Sequence, residues 1–202
     1  DRSLSLPGRK GSKFKGFPIA ELEVNSSFYL QRMTYADRRP VTADEAAAKA
    51  FADDVKGAKD YVDKYAEAAM EQMRRYGIPA SVTLAQGILE SGSGQSELSR
   101  KGNNHFGIKA SSSWLESGGR YLVYTDDKPN EKFCYYNSVG DSYEHHSKVL
   151  KGNERYAECF KLAPDDYKGW CNALAKAGYA SSGTYAQTLI GAIERLDLQK
   201  YD

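Results

Sequence analysis

From Pro79 to Ser99 the chain carries no Lys or Arg, although 28 such residues are spread over its 202 positions. Residues 79–91 have the apolar spacing of a helix. At about 100° per residue, Val82, Leu84, Ala85, Ile88 and Leu89 fill one broad arc, and Thr83, Gln86, Gly87 and Glu90 fill the other. A solvated helix face usually carries several Lys and Glu, whereas this one carries the single charge of Glu90. The pattern points to a polar face lining a cleft, with a short exposed polar face as the alternative. Ser91-Gly92-Ser93-Gly94-Gln95-Ser96 then stops the helix in a flexible turn.

The flanking sequence supplies more helices and one hairpin. Thr42-Ala43-Asp44-Glu45 has the spacing of a capping box, and the Ala-rich helix that follows is expected to break near Gly57. Tyr61, Tyr65, Ala69 and Met73 recur at i, i+4 steps and mark a packed face, which Gly77 and Pro79 end. Residues 103–109 read as a turn into a short extended piece. Residues 120–126 and 131–136 read as two strands, joined by Asp127-Lys128-Pro129-Asn130. Helices are expected from Ser138 or Asp141 to Leu150, from Asp165 to Ala177 with Gly178 as cap, and from Thr184 to Leu196. The fold class is α+β: several helices carrying one small hairpin lobe, without internal repeats.

Hydrophobic residues at 41% and charged residues at 27% are ordinary globular usage. A mean hydropathy of −0.65 and the lack of a long apolar run exclude a transmembrane helix. A net charge of +1 gives no global field for nucleic acid or an anionic membrane. Cys134, Cys159 and Cys171 fit neither a disulfide scaffold nor a zinc site. Buried free thiols are expected, with a Cys159–Cys171 pair as the alternative. Residues 1–17 hold Arg2, Arg9, Lys10, Lys13 and Lys15 against Asp1 alone. Residues 1–41 are therefore read as a basic arm or linker, and 42–202 as the folded domain. A start at Asp1 rather than Met is the expectation for a product whose export signal has been removed.

A lone Glu at a helix C-terminus, a Gly/Ser turn and an acid-bearing hairpin together suggest glycosidic chemistry. That chemistry needs one carboxylic acid to protonate the leaving oxygen and a second group to stabilise or capture the oxocarbenium-like centre. The low-charge surroundings of Glu90 are expected to keep it protonated, and the hairpin would bring Asp126 or Asp127 across a cleft. Plainer roles compete. Asp127 suits the turn itself, Tyr179 suits the core, and His105 suits a structural hydrogen bond. His145-His146 beside Glu144 lacks a further ligand at metal spacing, so no metal is assigned. Trp114 and Tyr121 suit sugar stacking and core packing equally.

Three ordered segments carry a family resemblance. Residues 85–94 (Ala-Gln-Gly-Ile-Leu-Glu-Ser-Gly-Ser-Gly), residues 104–109 (Asn-His-Phe-Gly-Ile-Lys) and Ala177-Gly178-Tyr179-Ala180 with Tyr185-Ala186 resemble glycoside hydrolase family 73 over about residues 58–202. The resemblance implies a lysozyme-like fold and an endo-β-N-acetylglucosaminidase that cleaves the β-1,4 bond after N-acetylglucosamine in peptidoglycan. Glu90 matches the general acid and Tyr179 the active-site Tyr that positions the sugar or its N-acetyl group. Asn104, Phe106 and Gly107 match the cleft floor, and Gln86, Asp127 and Tyr185 complete the expected substrate-binding set. Many members carry a Glu in the hairpin a few residues after a Thr. Here Thr125-Asp126-Asp127 stands in that place, and Asp126 is favoured as the second acid. The expected protein is an exported monomer of the periplasm or cell envelope. It acts on peptidoglycan glycan strands without a cofactor, nucleic-acid partner or integral membrane segment. The rival readings are a muramidase or lytic transglycosylase on the same fold, and a catalytically idle glycan-binding module.

Overall fold

The computed structural model describes the backbone over residues 44–202 apart from Asp127, and side chains from Asp54 onward; the expected arm over 1–41 and the Thr42 start lie outside the described residues. The first helix, α1 (Asp44–Tyr76), runs 33 residues without the break expected near Gly57. A Cβ at Gly57 would meet nothing within 4 Å, so no close approach requires a glycine there. Its cost relative to Ala is about 1 kcal/mol, and packing of Ala58, Tyr61, Val62, Ala66 and Ala69 into the core offsets it. Gly77, at a φ of 75°, closes the helix by donating its N–H to the Met73 carbonyl at 2.8 Å.

Helix α2 (Ala80–Ser91) is the central element. Ala80 to Leu89 are all buried, including Thr83, Gln86 and Gly87. Around it lie α1, the later helices α6 and α7, and the closing 3-10 turn Leu198–Tyr201. The expectation that its whole polar arc lines a cleft is thus corrected: that arc packs against protein, and only Glu90 in the last turn is half-exposed. Lys and Arg are missing because the helix is buried all round. At its N-terminus the Asp202 carboxylate accepts from Ser81 N at 2.8 Å and Ser81 Oγ at 2.7 Å, which satisfies a donor that Pro79 does not cap.

Two short helices, α3 (Glu97–Gly102) and α4 (Ser112–Glu116), were not anticipated. Each opens on a serine cap, Ser96 accepting from Ser99 N and Ser111 from Trp114 N. Strands β1 (Tyr121–Tyr124) and β2 (Glu131–Cys134) pair antiparallel, with Tyr121 opposite Cys134 and Tyr124 opposite Glu131. Lys109 bridges to Phe133 on the far side of β2, so the extended piece after Asn103 adds a third short segment. The hairpin closes on its own small cluster of Leu98 and Phe133, flanked by Leu122 and Tyr124. Helix α5 (Val139–Gly152) starts at a full capping box between Ser138 and Asp141. Helices α6 (Tyr167–Lys176) and α7 (Tyr185–Arg195) finish the fold, with Asp166 rather than Asp165 capping α6. Trp170, Tyr143, Tyr185, Leu84 and Ile88 are among the largest fully buried side chains of the main core. The three cysteines are buried free thiols. Among the described residues no helix is long and apolar enough to cross a membrane.

Candidate active site

The last turn of α2 places Glu90. Gly92 and Ser93 both take left-handed backbone, at φ of 58° and 56°, and Ser93 N donates to the Ile88 carbonyl at 2.9 Å. Ser91 Oγ donates to the Gly87 carbonyl at 2.5 Å and accepts from Gly94 N at 2.7 Å. Ser96 N reaches the Ser91 carbonyl at 2.9 Å. The turn expected to be flexible is therefore tied by hydrogen bonds on both sides of Glu90. Below it, a Cβ on Gly87 would stand 2.5 Å from Tyr61 Oη and 3.0 Å from Tyr143 Oη, so only glycine lets α2 lie on those hydroxyls. Tyr61 Oη is 2.7 Å from His105 Nδ1 and 2.8 Å from Tyr143 Oη. Burial, with Lys64 as a lesser influence, pushes the His105 pKa down to about 4. A neutral His105 shares a hydrogen bond with the Tyr61 hydroxyl through Nδ1.

An aromatic wall stands beside Glu90. Tyr179 is half-exposed and stacks on buried Tyr185 with ring centroids 5.6 Å apart and planes 14° apart. Burial raises both phenols well above their ordinary pKa. At Tyr179 the next influence is the negative charge of Glu90, and at Tyr185 it is Tyr179 and then Glu90. The carboxyl thus lies near both hydroxyls. Gln86 Nε2 donates to Tyr185 Oη at 3.0 Å from one turn earlier in α2. The wall continues through His146, which stacks on Phe106 at 4.0 Å and meets Tyr179 edge-on at 6.2 Å. His146 escaped the sequence reading as a site neighbour. Its signal was the helical spacing of Tyr143, His146, Ser147 and Leu150, all buried on α5.

Several expected substrate contacts are buried. Gln86 and Tyr185 are 0% exposed and Asn104 is 1% exposed. Asn104 Nδ2 donates to the Ile108 and Cys134 carbonyls at 3.0 and 2.9 Å, and its Oδ1 accepts from Ile108 N at 3.1 Å. It staples the floor loop to β2. Phe106 is buried, and Gly107 takes a φ of 65° that favours glycine. Asp127 lies outside the described residues. Trp114 stacks on His145 at 5.1 Å, and His145 Nδ1 lies 2.7 Å from Tyr136 Oη. Tyr121 is exposed, with Lys132 Nζ 4.5 Å from its ring centre.

At the hairpin the Asp126 side chain is 1% exposed and lies against Lys109, whose Nζ is 3.6 Å from Asp126 Oδ2. The same Nζ donates to Glu131 Oε1 at 2.7 Å, and Glu131 Oε2 accepts from Lys128 N at 3.0 Å. The sequence reading quoted Lys109 only as the end of a family segment and gave neither it nor Glu131, 22 positions on, a role in the site. The two carboxyl settings differ. Glu90 ends a helix with no basic residue in its last turn, whereas Asp126 faces an ammonium.

The profile of the glucosaminidase family, described as mannosyl-glycoprotein endo-beta-N-acetylglucosaminidase, matches residues 66–198. The exo-glucosaminidase LytG of Bacillus subtilis is 30% identical over 152 residues, 70% of this chain and 52% of its own length. The peptidoglycan hydrolase FlgJ of Salmonella typhimurium is 30% identical over 188 residues, 87% of this chain and 57% of its own length. The chain thus spans little more than half of either relative. The catalytic domain of the Listeria monocytogenes autolysin Auto superposes with a TM-score of 0.61 at 30% identity, covering 72% of this chain and 88% of that domain. The glycoside hydrolase domain of Salmonella typhimurium FlgJ superposes with a TM-score of 0.58 at 29% identity, covering 71% and 90%.

Proposed function

Because the chain belongs to the glucosaminidase family, we propose that it hydrolyses peptidoglycan as an endo-β-N-acetylglucosaminidase with Glu90 as general acid. The observation that carries this reading is the position of Glu90. It is the one half-exposed residue of the otherwise buried stretch 80–90, set beside Tyr179 and Tyr185. Glu90 gives its proton to the glycosidic oxygen as the bond to the anomeric carbon breaks. Asp126, held as an anion by Lys109, opposes the positive charge that develops there, and Tyr179 orients the 2-acetamido group. Water adds to the anomeric carbon, and the proton it releases restores the acid over the cycle. Gln86 and Tyr185 support Tyr179 from behind. The relatives FlgJ and LytG are named a peptidoglycan hydrolase and an exo-glucosaminidase. They support a wall substrate, and hence an extracytoplasmic place of action.

Digestion of purified sacculi followed by reducing-end analysis tests the bond. New N-acetylglucosamine ends are expected, while muramic or anhydro-muramic ends would indicate a muramidase or lytic transglycosylase. In the same assay Glu90→Gln is expected to stay folded and lose roughly 10²–10⁴-fold in turnover, the usual worth of a positioned acid. Retention of more than a third of wild-type activity removes Glu90 from that role.

A further inference from the structure

Lys109 joins two parts of the molecule that the proposed reaction needs in register. Its backbone is fixed beside β2: Lys109 bridges to Phe133, Ala110 N donates to the Lys132 carbonyl at 2.9 Å, and Cys134 N donates to the Ile108 carbonyl at 2.9 Å. The same loop is stapled by Asn104 and carries Phe106 into the aromatic wall. From that anchored position the side chain extends along Phe133, with Nζ 5.8 Å from the ring centre, and meets acids from both ends of the hairpin turn.

The two acids are held differently. Glu131 takes a directional hydrogen bond from Nζ at 2.7 Å and uses its other oxygen on the Lys128 N–H, which ties the tip of the turn. Asp126 Oδ2 stands 3.6 Å from Nζ, beyond hydrogen-bond range but well within reach of its charge. The turn backbone is closed separately, Asp126 N donating to the Lys128 carbonyl at 3.1 Å. Lys109 meets both Asp126 and Glu131, and with the Asp126 side chain only 1% exposed water screens the Lys109–Asp126 pair little.

We infer that Lys109 is the positioning residue of the second carboxylate, anchored to the floor loop and to Glu131 so that its charge holds Asp126 as an anion at a fixed place. The inference rests on Asp126 being that carboxylate. In this arrangement Glu131 is the tether and Asp126 the reacting group, although both touch the same lysine.

The test compares pH profiles of kcat/KM on peptidoglycan for the wild-type protein, Lys109→Gln, Lys109→Arg and Asp126→Asn, with a melting curve for each. A neutral Gln removes the charge that favours the anion, so the carboxyl releases its proton at higher pH. The acid limb of the profile is expected to move up by roughly one pH unit, with a loss that approaches tenfold at the acid end of the profile. Arg is expected to return the limb to its wild-type position. An acid limb unmoved in Lys109→Gln, whether activity holds or falls with the melting temperature, reduces Lys109 to a fastener and overturns the inference. If Asp126→Asn keeps wild-type activity and profile while Glu90→Gln is inactive, the second-acid assignment itself fails and takes the inference with it. If Asp126→Asn is inactive and only the Lys109 result is negative, the assignment of Asp126 stands alone.

Discussion

Tyr179 and Tyr185 form one stack but have different exposure, and this separates their roles. Tyr185 is fully buried, with its hydroxyl taken by Gln86 at 3.0 Å. Tyr179 reaches the surface beside Glu90, and burial raises its phenol well above the ordinary pKa. Tyr179→Phe retains the ring, and with it the stack on Tyr185 and the edge contact to His146. The substitution is therefore expected to change the melting temperature by less than a few degrees while lowering kcat on peptidoglycan at least tenfold. Full activity in the Phe variant would show that the ring alone is needed and that no hydroxyl orients the sugar.

At the scale of elements, the contact between α2 and α1 sets where Glu90 stands. Gly87 lies one turn before Glu90, and the hydroxyls of Tyr61 and Tyr143 occupy the place a side chain would take. Those hydroxyls are bonded to each other and to His105, so they cannot retreat without breaking a buried network. Gly87→Ala gains helix propensity of about 1 kcal/mol but forces overpacking that typically costs 1–3 kcal/mol. Because the obstructing atoms are buried and hydrogen-bonded, the second effect is expected to win. Urea unfolding should show a lower midpoint, and turnover should fall because the last turn of α2 shifts. An Ala variant that is more stable than wild type and fully active would mean that the tyrosines yield freely.

For the whole molecule, the buried histidines set an acid limit on stability. His105 and His146 are pushed down to about 4 and about 3, chiefly by burial, and half-buried His145 is lowered in the same sense. In the unfolded chain each would titrate near 6.5. As pH falls below that value the unfolded state takes up protons that the folded state refuses, so stability is lost. The contribution is fully present above about pH 7 and declines between about 6.5 and 4. The slope approaches 2.7 kcal/mol per pH unit where two protons separate the states. Half-buried Glu144 and exposed Glu194, held below the usual carboxylate range, add a smaller loss only at lower pH. Urea unfolding from pH 7.5 to 4.5 measures this directly. A midpoint constant across that range would show that neither imidazole is as deeply buried as the fold places it.

Local spacing was sufficient for the longer helices, the hairpin and the place of Glu90 near a helix end. The i, i+4 tyrosines of α1, the glycine cap after Tyr76, the helix ending at Ser91, the hairpin and the Ser138–Asp141 box all depend on neighbours within four residues or on one positive φ. Those determinants are written in adjacent residues. Where local propensity stood alone it misled: Gly57 looked like a break, yet α1 passes through it because the packing of the helix beyond outweighs one glycine. Tertiary structure alone decided which side of a polar residue meets solvent. It turned the polar arc of α2 into a packed surface and buried Gln86, Asn104 and Tyr185. It also brought Lys109 to Asp126 and Glu131, and His146 to Phe106 and Tyr179. These pairings join residues 17 to 40 positions apart, and no periodicity encodes them, because they exist only once the chain has folded back on itself.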